Sequence, residues 1–337
     1  MISEVNKKIW LGVTLGLQVS LLLYCGKPSA YTRLEGNAQG TTFSIVYRDS
    51  LRRDFSLQVD SLFRLIDKSM SLWDESSIIS RLNRNEPGVR ADEHFSAVFT
   101  KAREVSEATG GAFDVTVGPL VKAWGFSIKK DLPPPDSMQV DSLLQLVGYQ
   151  KVIFENGWLV KPDPRMEIDF NAIAQGYTVD LIAGFLMRNG VRDYMVEVGG
   201  EVRTAGITER NTVWNIGIDK PLANESEGRV LQATVALDNK SLATSGSYRK
   251  FVVRDGRRFS HAIDPATGFP ITHNLLSVSV LAGDCTTADA YATAFLVLGM
   301  EKAKEIARNK GLEWYCIYED DNGRLQVQYS PGFPLSK

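Results

Sequence analysis

Apolar residues recur at the three- and four-residue spacing of an amphipathic helix in three stretches of the first half of the chain. The clearest is FSLQVDSLFRLIDKSM at residues 55–70, whose large apolar side chains share one helical face. A second, SAVFTKAREVSEATGG at residues 96–111, ends in a glycine pair that stops a helix. The third, DSMQVDSLLQLVG at residues 136–148, follows three prolines, which exclude a helix interior, and begins at an Asp or Ser cap. We predict a helix over each stretch.

Period-two alternation and short apolar runs predict strands, which dominate the second half of the chain. GTTFSIVY at residues 40–47 is one strand, and KVIFENGWLVKP at residues 151–162 is a hairpin with Asn156 and Gly157 as its turn. Further strands are predicted at residues 166–170, 193–206, 214–220, 229–239, 249–263, 275–283 and 313–320. Helices are predicted at residues 172–190 and 287–310, the second broken at its central glycine. Because helices and strands are interspersed without a linker, we expect one domain of the α+β or mixed α/β class.

Composition and charge change this picture little. Of the 337 residues, 44% are hydrophobic and 23% are charged, and the formal net charge is −2. Such a chain buries an ordinary core, and its charge attracts neither nucleic acid nor anionic lipid. Nucleic acid is therefore not an expected partner. Cys285 and Cys316 lack the spacing of a metal site, so they either pair in an oxidising compartment or remain buried thiols.

The N-terminal segment differs from the rest of the chain. Two lysines precede an apolar run from Ile9 to Tyr24, and Cys25 closes it. This arrangement is typical of a secretory signal, since a membrane-spanning helix needs about 20 apolar residues. We predict a lipoprotein-type signal or anchor over residues 1–25, with Cys25 lipidated, and a polar spacer over residues 26–36. Tyr24 stands where such signals carry a small residue, so an uncleaved membrane anchor is the alternative; both place the folded part outside the cytoplasm.

Two segments place carboxylates near helix starts. Asp169 lies at the end of the predicted strand MEIDF, where ligands meet the N–H groups of the next helix; alternatively, Asp169 or Asn171 only caps that helix. Asp289 and Thr293 are four residues apart on one helical face, an oxygen pair that suits a hard cation such as Mg²⁺. Alternatively, the helix begins at the preceding threonine pair and Asp289 lies in its first turn, where the helix dipole favours a negative charge.

Three loops are the remaining candidates. TGGAFD at residues 109–114 either lets a ligand approach the backbone or only ends a helix. TSGSYR at residues 244–249 joins small residues to an arginine, which suits phosphate and equally suits a plain turn. HAIDPATGFP at residues 261–270 contains one of only three histidines, which with the nearby aspartate either forms a reactive group or belongs to a turn. The sequence contains no P-loop, GxSxG or HExxH motif.

Taken together and in order, these segments resemble the FAD:protein FMN transferase family (ApbE), once called thiamine biosynthesis lipoproteins. The resemblance runs from about Gly36 to Gly299 on the segments QGTTFSI, MSLWDESSIISRLN, TGGAFDVTVGPLVKAWGF, IDFNAIAQGYTVD, VEVGGEVRTAG, TSGSYRKF, HAIDPATGFP and TADAYATAFLVLG. Each segment is modestly specific, and their shared order is very specific. The resemblance implies a single domain over residues 37–337, of the α+β (mixed α/β) class, with a largely antiparallel sheet core flanked by helices.

The resemblance also implies a reaction. Enzymes of this family use Mg²⁺, split the pyrophosphate of FAD, attach FMN to a Thr or Ser hydroxyl of an acceptor protein and release AMP. Typical acceptors are subunits of the Na⁺-pumping NADH:quinone reductase and of Rnf-type electron-transport complexes. A lipid anchor at Cys25 would hold the enzyme on the periplasmic side of the inner membrane. Two alternatives stay open: a hydrolase of the same fold that releases free FMN and AMP, and a non-catalytic flavin-binding lipoprotein.

Carried over by position, the metal ligands fall on the backbone carbonyl of Ala172 and on the side chains of Asp289 and Thr293. The flavin-binding positions fall on Gln39, Trp73, Ala112, Phe113, Asp114, Asp169, Gln175 and Ile263. Three of these depart from the family: Gln39 replaces Met, Trp73 replaces Tyr but keeps a stacking face, and Gln175 replaces Lys or Glu. His261 is the candidate general base, since a histidine pKa of about 6.5 suits proton transfer. Asp264 either orients it or closes the turn.

Overall fold

The computed structural model describes residues 31–127, 133–221, 230–247, 251–254 and 257–336. The predicted signal segment lies outside these residues, with Cys25, and so does Arg249 of the TSGSYR loop. Within the described residues, no helix is long and apolar enough to cross a membrane.

An eight-stranded antiparallel sheet lies at the centre of the described part of the chain. In chain order the strands are β1 (Tyr31–Ala38), β2 (Thr41–Arg48), β3 (Ile153–Glu155), β4 (Trp158–Val160), β5 (Asp193–Val198), β6 (Glu201–Ala205), β7 (Trp214–Asp219), β8 (Leu231–Leu237), β9 (Ser241–Gly246), β10 (Phe251–Arg254), β11 (Arg257–Ser260), β12 (Leu275–Ala282), β13 (Glu313–Glu319) and β14 (Leu325–Tyr329). The order across the sheet is β1-β2-β5-β6-β9-β12-β13-β14, and β3–β4, β7–β8 and β10–β11 form separate pairs. The antiparallel sheet core is therefore confirmed.

The helices of the described residues flank this sheet. They are α1 (Ser56–Met70), α2 (Ile78–Asn83), α3 (Glu93–Ala108), α4 (Gly118–Ala123), α5 (Ser137–Leu144), α6 (Ala174–Arg188), α7 (Cys285–Leu298) and α8 (Met300–Lys310). The three helices predicted from apolar spacing in the first half are confirmed as α1, α3 and α5. Asp136 caps α5 through a complete capping box with Gln139. The break predicted in the last helix is also confirmed, because Gly299 separates α7 from α8 with a φ of 75°.

Alternating side chains of the sheet point into two cores. Along β13, Trp314 and Cys316 pack into the core under the helices, whereas Tyr315 and Ile317 pack into a second core with the β7–β8 pair. On the helical side, α6 packs on β5 and β6, and α7 packs on β9 and β12. Cys285 and Cys316 are both free, buried thiols, so the buried-thiol alternative is the one observed.

The strand predicted at residues 166–170 is wrong, because this segment forms no strand. Its backbone groups are satisfied by a side chain and a loop instead of by a sheet. The Asn83 amide donates to the Ile168 carbonyl at 2.9 Å and accepts from the Ile168 N–H at 2.8 Å. The Asp169 N–H donates to the Val115 carbonyl at 2.7 Å. An alternating apolar pattern does not distinguish a strand from an extended segment held in this way.

Three strands of the sheet were not predicted: β1, β9 and β14. β9 (Ser241–Gly246) lies between two predicted strands and includes the first half of the TSGSYR segment, for which the sequence predicts a loop. β1 begins at Tyr31, inside the predicted spacer over residues 26–36, and pairs with β2 along its whole length. Its sequence YTRLEGNA carries a single large aliphatic side chain, as suits an edge strand, so no apolar alternation marks it. β14 follows β13, which the pattern placed as the closing strand. The folded domain thus includes residues that precede Gly36.

Candidate active site

The first turn of α6 lies against α7. A Cβ atom on Gly176 would lie 2.5 Å from the Cys285 carbonyl oxygen and 2.8 Å from the Asp289 Cβ, so only glycine allows this approach. The Gly176 N–H donates to Asp289 Oδ2 at 3.0 Å. Ala172 lies in the turn just before α6. The structure therefore places Asp289, the predicted carboxylate ligand, against the start of α6. This helix start directly follows Ala172, the predicted carbonyl ligand.

Asp289 is buried in the second turn of α7, and it does not cap that helix. Asp284 is the N-cap residue, accepting from the Thr287 N–H at 2.7 Å, so the alternative that Asp289 lies in the first turn is wrong. Burial raises the pKa of Asp289 to about 7; the Gly176 hydrogen bond opposes this rise and the charge of Asp180 adds to it. An ionised carboxylate at this position would gain from a bound cation.

Thr293 lies one turn beyond Asp289 on α7, on the same side of the helix. Its hydroxyl is 2.9 Å from the Ser245 hydroxyl of β9. Ser245 belongs to the TSGSYR segment, whose first half is the end of β9 instead of the predicted loop. The structure therefore brings together two candidate segments that are 48 residues apart in the chain. The hydroxyl pair adds polar atoms beside the carboxylate, on the side of α7 that faces the sheet.

The donor set fits a hard cation. Within the described residues, no three His, Cys, Asp or Glu side chains cluster as a metal site. A cation here would therefore depend on mixed oxygen donors: the Asp289 carboxylate, the Thr293 hydroxyl and the Ala172 carbonyl. Mg²⁺ prefers such oxygens and keeps part of its coordination for water or phosphate. The burial of the Asp289 carboxylate, four residues before Thr293 on the same face of α7, is the observation that makes this set fit.

Two buried carboxylates lie on adjacent loops near this junction. Asp169 accepts from the Asn171 N–H at 2.8 Å, and burial raises its pKa. α6 has no side-chain cap, so the alternative that Asp169 or Asn171 caps this helix is wrong. Asp114 accepts from the Thr116 N–H and hydroxyl and from the Tyr149 N–H, and burial raises its pKa as well. Both carboxylates order the loops that carry them.

The structure places other predicted flavin positions in the core. Phe113 is 3% exposed in the core under the helices, and Ile263 packs with Leu120 and Trp124 in a smaller cluster. Ala112 is half-buried beside Phe113. A flavin at Phe113 would therefore meet mainly the backbone, which agrees with a loop containing two glycines of positive φ just before it.

Gln39 and Gln175 both lie at the start of α6: Gln175 is in the first turn of the helix, and Gln39 contacts Thr178 one turn further along. Gln39 is in the β1–β2 turn with a φ of 52°, and its Nε2 donates to Thr178 Oγ1 at 3.1 Å. Its amide oxygen is buried without a hydrogen-bond partner among the described residues, which leaves an acceptor for a ligand. The Gln175 side chain packs against Gly199, the residue that follows β5. Its Nε2 lies 2.7 Å from the position that a Cβ atom on Gly199 would occupy. A surface cavity of about 440 Å³ opens at this turn, lined by residues 37–42.

Trp73 lies in the loop between α1 and α2, and 64% of its surface is exposed. An exposed indole keeps a face free to stack on a planar ring. Trp73 thus differs from the buried positions of the predicted flavin set, since its side chain is the part that a ligand would meet.

The HAIDPATGFP loop is built around Asp264. The Asp264 carboxylate accepts from the Ala266 N–H at 2.9 Å and from the Thr267 hydroxyl at 3.2 Å, and the Gly268 N–H donates to the Asp264 carbonyl. Of the two predicted roles, Asp264 therefore closes the turn. The Trp124 indole N–H donates to the Gly268 carbonyl at 2.9 Å and ties the loop to α4.

His261 stands at the start of this ordered loop. It is half-buried, and its ring lies edge-on to Phe126 with the ring centroids 6.4 Å apart. The Ile263–Pro270 bridge closes the loop just behind it. The histidine is thus fixed on a constrained turn and is partly exposed, a placement that suits the predicted general base.

The candidate site thus comprises a buried carboxylate at the contact of two helices, a hydroxyl pair one turn further along α7 and, on a separate loop, a histidine on a constrained turn. Oxygen donors of this kind suit a hard cation, and such cations commonly accompany phosphate-bearing ligands. Sequence comparison names the family. The chain belongs to the ApbE family, whose sequence model matches residues 39–316.

Relatives of known name match nearly the whole chain. It is 34% identical over 330 residues to the FAD:protein FMN transferase of Haemophilus influenzae, covering 94% of this chain and 95% of that protein. The Escherichia coli FAD:protein FMN transferase is 33% identical over 312 residues, covering 90% and 88%. Among solved structures, the flavin transferase ApbE from Vibrio cholerae superposes with a TM-score of 0.79 at 32% identity, covering 91% of this chain and 99% of that one. The apo flavinyl transferase ApbE of Pseudomonas stutzeri gives 0.79 at 29% identity, covering 89% and 95%.

Proposed function

We propose that this chain is an Mg²⁺-dependent FAD:protein FMN transferase. It splits the pyrophosphate of FAD, joins FMN to a Thr or Ser hydroxyl of an acceptor protein and releases AMP. The observation that carries the proposal is the buried Asp289 carboxylate, held by the Gly176 N–H where two helices of an ApbE-family chain meet. An apolar ligand site needs no such carboxylate, whereas a pyrophosphate with its cation does.

The metal ligands and the general base have separate roles in the proposed reaction. Asp289, Thr293 and the Ala172 carbonyl would hold Mg²⁺, which when bound neutralises charge on the pyrophosphate oxygens. The acceptor hydroxyl oxygen forms a bond to the FMN phosphorus, the bond from that phosphorus to the bridging oxygen breaks, and AMP departs with the electron pair. His261 accepts the hydroxyl proton on a ring nitrogen, because a neutral hydroxyl is a weak nucleophile near pH 7.

The flavin half of FAD is recognised away from the reacting phosphorus. The Trp73 indole offers its exposed face to the ring, and the glycine-rich backbone before Phe113 allows close approach. The buried side-chain amide oxygen of Gln39, which has no partner among the described residues, would accept a hydrogen bond from the flavin. Gln175, Asp114, Asp169 and Ile263 order the walls of this site. Because Gln39 and Gln175 are neutral, neither adds charge beside the flavin.

The acceptor and the location belong to the same proposal. The family resemblance favours acceptor subunits of the Na⁺-pumping NADH:quinone reductase or of Rnf-type complexes. The lysines, apolar run and Cys25 at the N-terminus favour a lipid anchor that holds the enzyme on the periplasmic side of the inner membrane. Acyl labelling of Cys25, with Cys25→Ser as the control, tests the anchor directly.

One incubation tests the activity. The purified protein, FAD, Mg²⁺ and a candidate acceptor domain are combined, and flavin fluorescence in a denaturing gel is read together with AMP release. Labelled acceptor with an equal amount of AMP is the expected result. AMP with only free FMN would identify a hydrolase, and no AMP would identify a flavin-binding protein; either outcome would overturn the transferase assignment.

A further inference from the structure

Asp180 on α6 makes a set of contacts that the proposed reaction does not yet use. Its Oδ1 accepts from the Cys285 N–H at 2.9 Å, and its Oδ2 accepts from the Thr286 N–H at 2.8 Å and the Thr286 hydroxyl at 2.6 Å. Arg203 of β6 donates to Oδ1 at 2.5 Å, and the carboxylate is 15% exposed. One carboxylate therefore joins α6, the first turn of α7 and the sheet.

The contact between Asp180 and Cys285 lies in the same row of α7 residues as the proposed side-chain ligands of the metal site. Gly176 and Asp180 are four residues apart and share one face of α6. Gly176 fits against the carbonyl of Cys285, while Asp180 accepts from the N–H of the same residue. Cys285, Asp289 and Thr293 then follow one another at intervals of four along α7. The two helices are thus held together at the base of the row that carries both side-chain ligands.

We propose that Asp180 is a positioning residue for the magnesium site, which fixes α7, and with it Asp289 and Thr293, relative to the Ala172 carbonyl ahead of α6. The inference rests on the proposed Mg²⁺-dependent function. Asp180 itself stays engaged with Arg203 and the α7 N-terminus, so it acts through the ligands and touches no substrate. Partners that orient metal ligands in this way typically change metal affinity about 10- to 100-fold when they are replaced.

The test compares two variants that each weaken the start of α7. Asp180→Asn keeps the shape of the side chain but replaces one acceptor oxygen by a donor. That donor would face either the Cys285 N–H and the Arg203 guanidinium or the N–H and hydroxyl of Thr286. Asp284→Ala removes the N-cap of the same helix, a single contact to the Thr287 N–H, and leaves the tie to α6 intact. Both are expected to lower the Tm by a few degrees. Two readouts follow: the Mg²⁺ concentration for half-maximal FMN transfer, and the Mg²⁺-induced rise in Tm with FAD present.

Asp180→Asn is expected to raise the half-maximal Mg²⁺ concentration about tenfold or more and to reduce the Mg²⁺-induced rise in Tm. The transfer rate at saturating Mg²⁺ should fall much less, and Asp284→Ala should keep the wild-type Mg²⁺ dependence within about twofold. Thr286→Val loses only a hydroxyl contact to Asp180 and should raise the half-maximal Mg²⁺ concentration about threefold. This variant replaces Asp180→Asn in the test if Asp180→Asn does not fold.

Three results would overturn the inference. An unchanged Mg²⁺ requirement in Asp180→Asn and Thr286→Val would remove the positioning role while leaving the proposed function in place. An equal shift in Asp284→Ala would assign the effect to general loss of α7 stability. Wild-type transfer that persists in excess EDTA would instead refute the magnesium role on which the inference rests.

Discussion

Replacing Gly176 by alanine is expected to separate α6 from α7 and to damage the site. The new Cβ would lie 2.5 Å from the Cys285 carbonyl oxygen and 2.8 Å from the Asp289 Cβ. The first neighbour is backbone and the second is the root of a buried side chain, so neither moves aside by a rotamer change. Relief requires the helices to shift, and such overpacking costs about 1–3 kcal/mol.

The shift also affects the hydrogen bond from the Gly176 N–H to Asp289 Oδ2, now 3.0 Å long. A hydrogen bond to a charged group contributes about 1.5–3 kcal/mol. Because the two effects share one displacement, they do not add fully, and we expect a total loss of about 3 kcal/mol. At roughly 2 °C per kcal/mol for a chain of this size, the Tm should fall by about 6 °C.

Gly184→Ala is the matched control on the same helix. Its Cβ would lie 3.2 Å from Arg188 Nη1, the mobile end of a long side chain, and alanine favours the helix over glycine by up to about 1 kcal/mol. Urea unfolding should therefore show Gly184→Ala unchanged or more stable and Gly176→Ala less stable, with FMN transfer lost only in the latter. If Gly176→Ala unfolds like the wild type and transfers FMN at the wild-type rate, the close approach of the two helices is not required.

Three further substitutions probe the separate parts of the site. His261→Ala should lower the transfer rate about 10²- to 10⁴-fold with FAD affinity retained, whereas His273→Ala should not; equal loss in both would refute the base assignment. Asp289→Ala should abolish Mg²⁺-dependent turnover while FAD still binds, as read by flavin fluorescence, and full turnover of this variant would contradict the metal assignment. Asn83→Ala leaves both backbone groups of Ile168 without their present partner, so it should cost about 2–3 kcal/mol and weaken FAD binding in the same titration; unchanged FAD affinity would show that the segment is held in other ways.

Elements whose apolar residues follow one period were predictable from the sequence. α1 and α3 each bury a single stripe of apolar residues, which gives their sequences the helical period. β12 is buried almost throughout, which gives its sequence a continuous apolar run. β1 has no such stripe, since it lies at the sheet edge with every residue partly exposed or exposed. Its place depends on the β1–β2 turn, where Gln39 and Gly40 both adopt positive φ.

Side chains that form the candidate site were predictable where they lie close in sequence, and not where distant segments meet. The spacing of Asp289 and Thr293 already places both on one face of a helix. Gly176 and Asp180 carry no comparable signal, because their partners on α7 lie more than 100 residues away in the chain. The MEIDF segment failed for the same reason: Asn83, 85 residues before Ile168, takes the place of a neighbouring strand.

The TGGAFDVTVGPLVKAWGF segment contacts two different loops, one at each of its ends, and the second is the loop that begins with His261. Its beginning carries Asp114, which orders the loop at Tyr149. Its end carries Trp124, which holds the Gly268 carbonyl. α4 lies between them, and its residues pack with α5 and Ile263 in a cluster separate from the three larger cores. The loop that carries Asp114 and the loop that begins with His261 therefore lie at the two ends of one packed unit, whereas the predicted metal ligands belong to the α6–α7 contact. A change in that small cluster should displace His261 and the predicted flavin positions at residues 112–114 together, and leave the predicted metal ligands in place.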